Sequence, residues 1–289
     1  MSLLDDRKIA VLELKANHIR ESIISMLLTA GSGHTAGPLG MADIFTALYF
    51  HVLNHRPHDP YWKDRDRLVL SNGHICPVLY ATMAHAGYFS VAQLEKLRKF
   101  KSPLQGHPHR EWLPGLETSS GPLGSGLSQA VGMALADRMD NGRSSGKQFY
   151  CLTGDGELDC GQIWEAAMLA GKEKIQNLTV IVDRNNIQID GYTEDIMPLE
   201  PLADKWRSFG FHVQEINGHN FEDIINAFGE ARASFEKPSV IIAKTIPGKG
   251  VPAFERKPEW HGKPPNKEEA AMALKVLRTF DGRVKNEHE

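Results

Sequence analysis

The sequence is poor in cysteine: Cys76, Cys151 and Cys160 are its only three in 289 residues. An odd count without metal-ligand spacing excludes a disulfide framework and a local zinc motif, and it suits a reduced, cytoplasmic setting. No apolar run reaches the length of about eighteen residues that a membrane span needs. The start, Met1 to Lys8, lacks a signal-peptide pattern. No basic run occurs and the formal net charge is −3, so a nucleic-acid partner is not expected. Internal repeats and low-complexity segments are also missing. What is present is an ordinary globular composition, 41% hydrophobic and 24% charged. The length allows one large α/β domain or two small ones. We expect a single domain over 1–280, with a polar tail at 281–289.

One stretch organises the chain. The apolar run Phe149, Tyr150, Cys151, Leu152 leads to Gly154-Asp155-Gly156-Glu157. A helix-like segment follows over 161–173. A second apolar run, 178–182, ends in Asp183-Arg184-Asn185-Asn186. Strand, helix and strand predict a parallel crossover, and such units bind ligands at the carboxyl ends of their strands. There stand the Asp155 carboxylate and the Asn185 amide, oxygen ligands of the kind hard cations prefer. Gly154 and Gly156 let backbone N–H groups approach a phosphate at a helix start. A bare Gly-Asp-Gly is also a common turn. With the second strand and the asparagine pair, the pattern points to a diphosphate with its divalent metal.

Elsewhere, helices are expected over 3–30, 41–50, 75–87, 91–100, 127–138, 221–235 and 267–279, and a helix end over 205–210. Strands are expected over 67–70, 211–216 and 238–243. The stripe Leu12, Ile19, Ile23, Met26, Leu27 reads as core packing. Residues 31–40, with four glycines, read as a shaped loop around His34, a position where histidine is by default solvated or a cap. Ser71-Asn72-Gly73-His74 puts a histidine just past a strand end. The Gly- and Ser-rich start of the helix at 127 suits an anion or a close cofactor wall. Residues 191–204 read as a loop. Alternating buried strands and helices predict an α/β fold, a doubly wound parallel sheet with helices on both faces and its Gly/His loops gathered at one edge. Five histidines lie in such loops: His34, His74, His107, His109 and His261. They are too far apart for a local zinc site and suit a hydroxyl-rich substrate, since imidazole donates to hydroxyls and exchanges protons near neutral pH.

Taken together, Gly33-His34 with Gly37-Pro38-Leu39-Gly40, Ser71-Asn72-Gly73-His74, Gly106-His107-Pro108, Gly121-Pro122-Leu123-Gly124, Gly154-Asp155-Gly156 with Asn185, Lys244-Thr245 and His261-Gly262 closely resemble transketolase. They look like its N-terminal, diphosphate-binding domain, in order from about residue 10 to residue 265. The resemblance implies the thiamine-diphosphate-binding fold and thiamine diphosphate with Mg²⁺, or Ca²⁺ or Mn²⁺, as cofactors. It implies Asp155, Asn185 and the main-chain oxygen of Ile187 as metal ligands. Gly156, His74 and His261 would lie along the diphosphate, and Gly121 and Leu123 would flank the rings. The implied cofactor set also takes in Pro122, Gly154, Ile189, Lys244 and Glu165. His34, His107 and His261 would reach substrate hydroxyls or assist proton transfer. The reaction implied is transfer of a two-carbon ketol unit from a ketose to an aldose, with the chemistry carried by the cofactor.

Two departures from the family stand out. A full transketolase continues for roughly as long again, and the glutamate that activates the aminopyrimidine lies in that continuation. The chain therefore resembles the N-terminal subunit of a split transketolase. Such a chain is inactive alone and is expected to form a heterotetramer with a separately encoded C-terminal subunit, two of each. In addition, Cys160 stands where many relatives have glutamate, while Glu165 is retained. These acids link active sites at the subunit contact in the family. A plain packing role is the expectation for Cys160. The α subunit of a 2-oxo acid dehydrogenase shares the GDG…NN pattern but lacks the paired Gly-His loops. Deoxyxylulose-phosphate synthase differs in its His loops, and the intact motif residues argue against a non-catalytic homologue. Pentose phosphates are the default substrates, with unusual or sulfo-sugars open.

Overall fold

The apolar runs foreseen as strands lie side by side in one sheet. The computed structural model describes residues 5–143 and 145–279. The tail expected at 281–289, and the end of the range 1–280, lie outside them. The chain runs α1 (Asp6–Ala30), α2 (Ala36–Gly40), α3 (Ala42–Ala47), β1 (Arg67–Leu70), α4 (Cys76–His85), α5 (Ser125–Asn141), β2 (Phe149–Gly154), α6 (Gly161–Lys172) and β3 (Leu178–Arg184). It continues through β4 (Ile187–Gln188), β5 (Gly191–Tyr192), α7 (Thr193–Ile196), α8 (Leu202–Ser208), β6 (His212–Asn217), α9 (Phe221–Ala233), β7 (Ser239–Lys244) and α10 (Lys267–Thr279). Five strands pair in parallel in the order β1-β2-β3-β7-β6, and β4 and β5 form a small antiparallel ribbon.

Side chains alternate across each strand. Tyr150, Leu152, Ile181 and Ile241 enter one apolar core, with α1, α3, α4, α9 and α10. Phe149, Cys151, Val180, Val182, Val240 and Ile242 enter the other, with α5, α6 and α8. Strands apolar on both sides need helices on both faces, which is the doubly wound arrangement expected. Winding steps from β1 to β2 to β3, then reverses from β6 back to β7. Register levels the carboxyl ends: Leu70 pairs with Leu152, Gly154 with Asp183, and Asp183 with Ala243. Ser71, Asp155 and Asn185 therefore emerge along one edge.

The segment read as a loop at 31–40 folds differently. Its second half is α2, and its glycines serve protein packing. A Cβ on Gly37 would lie 2.8 Å from Ile75 Cγ2, and one on Gly40 would lie 2.9 Å from the Ile246 carbonyl. The helix foreseen over 41–50 is α3 followed by a π turn at Leu48–Val52, and that over 91–100 is a 3₁₀ segment at Val91–Lys96. The first helix starts at Asp6, because Asp5 caps it by accepting from the Lys8 N–H at 2.8 Å. The loop expected at 191–204 holds β5, α7 and the start of α8. None of the helices in the described residues is long and apolar enough to cross a membrane.

A buried ion network joins α1 and α3 to two loops beneath the site edge. The Arg20 guanidinium, 1% exposed, donates to both Asp43 oxygens at 3.0 and 2.6 Å. His219 Nε2 accepts from the Ile246 N–H at 2.7 Å. Its Nδ1 therefore carries the proton and donates to Asp43 at 2.8 Å. Removing one member of a buried pair strands the other's charge. Asp43→Ala should cost about 3–5 kcal/mol in urea unfolding; a cost under about 1 kcal/mol, the level of an exposed pair, would mean that Arg20 finds water instead.

Candidate functional site

The turn after β2 is built on buried carboxylates. Asp155 is 1% exposed. Its Oδ1 accepts from the Gly156 N–H at 2.7 Å, and its Oδ2 accepts from the Asn186 N–H at 2.6 Å and from Arg184 at 3.1 Å. Asn186 has φ 61°, a left-handed conformation that asparagine tolerates, and this turns its N–H onto Asp155. Burial pushes the Asp155 pKa up against these donors. On the next strand, Asp183 accepts from the Thr245 hydroxyl and from Asn185 Nδ2 at 2.8 Å. Burial pushes its pKa up to about 7. With Nδ2 tied to Asp183, Asn185 Oδ1 faces the other way and accepts from the Ile187 N–H at 3.0 Å.

Glu157, 3% exposed, closes the arrangement. Its Oε1 accepts from the Ser71 hydroxyl and from the Gly124 N–H at 2.7 Å, and its Oε2 accepts from the Gly154 N–H at 3.0 Å. Ser71 Oγ accepts in turn from the Gly126 N–H at 3.0 Å. The ends of β1 and β2 and the start of α5 are thus bound together. A helix start favours an anion, and here the protein supplies its own. The α5 terminus expected to meet a ligand is satisfied by Glu157, which leaves Gly121 and Leu123 just before it as the wall.

These residues floor a cavity of about 410 Å³. Three imidazoles form a triangle inside it, with ring centroids 4.9 Å apart for His34–His74, 5.5 Å for His34–His261 and 5.3 Å for His74–His261. Thr35 Oγ1 donates to the Lys263 carbonyl at 2.6 Å and ties the two histidine loops together. His107 stands exposed at the rim, and the Arg98 guanidinium packs against Gly106 beside it. Burial, then the neighbouring charges of His261, Arg98 and His107, lowers the His34 pKa to about 4. Burial also lowers His74, His107 and His261. At neutral pH the four rings are uncharged, and each has one donor and one acceptor nitrogen.

Four carboxylates line the cavity, Asp155, Glu157, Asp183 and Asp190; among the described residues no lysine or arginine does. Several polar atoms around it are buried without a partner in the protein: His34 Nδ1, both amide atoms of Asn72, and Gln188 Nε2. Such groups fit a polar ligand that supplies the missing hydrogen bonds.

Of the residues singled out from sequence, His34, His74, His107, Gly121, Leu123, Gly154, Asp155, Gly156, Asn185, Ile187, Ile189 and His261 all line this cavity. Three do not. Pro122 is exposed beside it. Glu165 lies on the exposed face of α6 with Met168 and Leu169. Lys244 pairs with Glu215 at 3.2 Å. His109 packs on Trp112, with ring centroids 4.8 Å apart. Cys160 packs against Gly124, where a Cβ would lie 2.4 Å from its sulfur. Sequence reasoning assigned no role to Glu157, Asn72, Asp183 or Gln188. Only Glu157 carried a usable signal, an extra carboxylate directly after the glycine turn.

The chain matches the family model described as transketolase, thiamine diphosphate binding domain, over residues 12–283. It is 46% identical over 246 residues to the 6-deoxy-6-sulfo-D-fructose transketolase subunit of Clostridium sp. (strain MSTE9), covering 85% of this chain and 88% of that one. It is 40% identical over 270 residues to an apulose-4-phosphate transketolase subunit of Phocaeicola vulgatus, covering 93% and 95%. The crystal structure of transketolase from Campylobacter jejuni superimposes with a TM-score of 0.87 at 39% identity, covering 92% of this chain and 42% of that one. The chain therefore spans less than half the length of that solved transketolase and nearly the whole of the two subunits. The chain belongs to the transketolase family and corresponds to its thiamine diphosphate binding domain.

The unfolded His34 side chain takes its proton near 6.5 and the folded one near 4. Its contribution to stability is therefore full above pH 6.5 and is lost as pH falls through 4. His34→Asn should flatten the fall in melting temperature across that window; parallel curves for variant and parent would show that His34 carries no depressed pKa.

Proposed function

We propose that this chain forms the diphosphate-binding half of a ketol transferase that works with thiamine diphosphate and a divalent metal, and only when joined to a separately encoded C-terminal subunit. The observation that carries the reading is the oxygen-donor corner at the ends of β2 and β3. It lies in a cavity whose charged lining groups, among the described residues, are all carboxylates. Asp155, Asn185 Oδ1 and the Ile187 carbonyl would hold the metal. Such a set suits Mg²⁺, and also Ca²⁺ or Mn²⁺. Among the described residues no group of three or more His, Cys, Asp or Glu could hold a metal, in keeping with a set that mixes a carboxylate, an amide and a carbonyl.

Thiamine diphosphate, when bound, supplies the nucleophilic carbon for two-carbon transfer. This chain's own residues bind and orient. Asp183 holds the Asn185 amide with its oxygen presented. Glu157 keeps the Gly121–Leu123 wall in place against β1 and β2. Gly154 and Gly156 give the diphosphate backbone room, with His74 and His261 alongside. His34, His107 and His261, as uncharged imidazoles, hydrogen-bond to sugar hydroxyls and can hold a proton in passing.

The names of the two subunit relatives concern ketoses bearing a sulfonate or a phosphate. We take a ketose with an anionic tail as the donor and an aldose as the acceptor, in carbohydrate metabolism. The exposed α6 face with Glu165, Met168 and Leu169 is our candidate for the contact between copies, in a heterotetramer of two chains of each kind. Three unpaired cysteines support a cytoplasmic location.

Mixing the chain with its C-terminal partner, Mg²⁺, thiamine diphosphate, a ketose phosphate or sulfonate and an aldose should yield ketol transfer, and neither chain alone should turn over. Transfer by this chain alone would contradict the split assignment. An assembled, cofactor-loaded complex that transfers no ketol unit would contradict the reaction.

A further inference from the structure

Asn72 follows β1, is 1% exposed and lines the cavity. A side-chain amide offers two donor hydrogens and an acceptor oxygen. Neither Nδ2 nor Oδ1 finds a partner in the protein. A buried amide left unpaired is destabilising, and folded proteins keep few of them. Its neighbours fix its place. Ser71 is bonded to Glu157, and Gly73 packs so tightly that a Cβ there would lie 2.4 Å from Ser120 Cβ. The amide sits beside the glycine turn, with Nδ2 3.8 Å from the point a Gly154 Cβ would occupy. Gln188 flanks the same turn at Gly156, with its Oε1 3.0 Å from the equivalent point and its buried Nε2 also unpartnered.

We propose that Asn72, with Gln188 beside the same turn, is a neutral donor that holds a phosphate oxygen of the diphosphate; this rests on reading the cavity as a thiamine diphosphate site. Neutrality suits the place. Arg184 already pairs with Asp155 at 3.1 Å, and a second cation here would compete further with the metal for that carboxylate. An amide would donate to phosphate without bringing a charge of its own. The unpaired state in the free chain is then a stability cost accepted for binding, as is common at functional sites.

The test uses Asn72→Leu, close in size and apolar, and Asn72→Ala, which cannot overpack. Thiamine diphosphate is titrated by calorimetry at fixed Mg²⁺ into the complex with the C-terminal subunit. The melting temperature of the ligand-free complex is measured alongside. The dissociation constant should rise about tenfold to a hundredfold in both variants, while the ligand-free melting temperature holds or rises. Dissociation constants within about twofold of the parent overturn the proposal. Weaker binding with a lower melting temperature in both variants also overturns it, because the amide would then be serving the fold. A parent complex that binds no thiamine diphosphate with Mg²⁺ overturns the reading of the cavity itself.

Discussion

Charge in the cavity constrains everything else about the site. Asp155, Glu157, Asp183 and Asp190 line it, and among the described residues no lysine or arginine does. At an effective dielectric of about 20, two unit charges about 4 Å apart interact by about 4 kcal/mol. A diphosphate entering alone would meet repulsion from those carboxylates that stay ionised. The protein meets part of its own charge with internal partners: Ser71 and two backbone N–H groups on Glu157, Thr245 and Asn185 on Asp183, Arg184 on Asp155. Burial still pushes all three carboxyls upward. In the function we propose, a divalent cation at Asp155 would relieve both the resident and the incoming charge, so that metal and diphosphate would bind as one unit.

The sheet makes this possible by levelling its strand ends. A slip of one residue between β2 and β3 would turn Asp155 and Asn185 away from each other. Two apolar cores, one on each face, hold that register. The Arg20–Asp43–His219 network braces the loop after β7 against α1 and α3. Around this frame the glycines do distinct jobs. Gly37 and Gly40 let loop and helix approach each other, Gly156 lets the Gln188 side chain come against the turn, and Gly154 stands in looser contact with Asn72.

The parallel sheet was readable because its strands are short apolar runs buried on both faces. The corner of Asp155 and Asn185 in the cavity wall was readable because its residues cluster at the ends of two such runs. The ribbon β4–β5 and the helix α2 were not, since glycine and proline mask local periodicity and tertiary contacts decide the outcome. Glu157, Asn72 and Asp183 escaped assignment because their meaning depends on neighbours far along the chain. Ser71 and Glu157, for instance, are 86 residues apart. Lys244 ends β7 level with Arg184 and pairs with Glu215 on the edge strand, and it is not among the cavity's lining residues. Glu165 was placed by resemblance, and in this chain it faces outward from α6.

Neutral histidines complete the design. Four imidazoles kept uncharged by burial add no further repulsion to an arriving metal, and they can both give and accept hydrogen bonds to a sugar. In the proposed function the cation is what allows the diphosphate to bind. Equilibrium titration of thiamine diphosphate into the two-subunit complex tests it, once with Mg²⁺ and once with excess chelator, for the parent and for Asp155→Asn. The parent should bind with Mg²⁺, and affinity should be weaker by about a hundredfold or more with chelator or in the variant. Comparable affinity with and without the metal would contradict the claim.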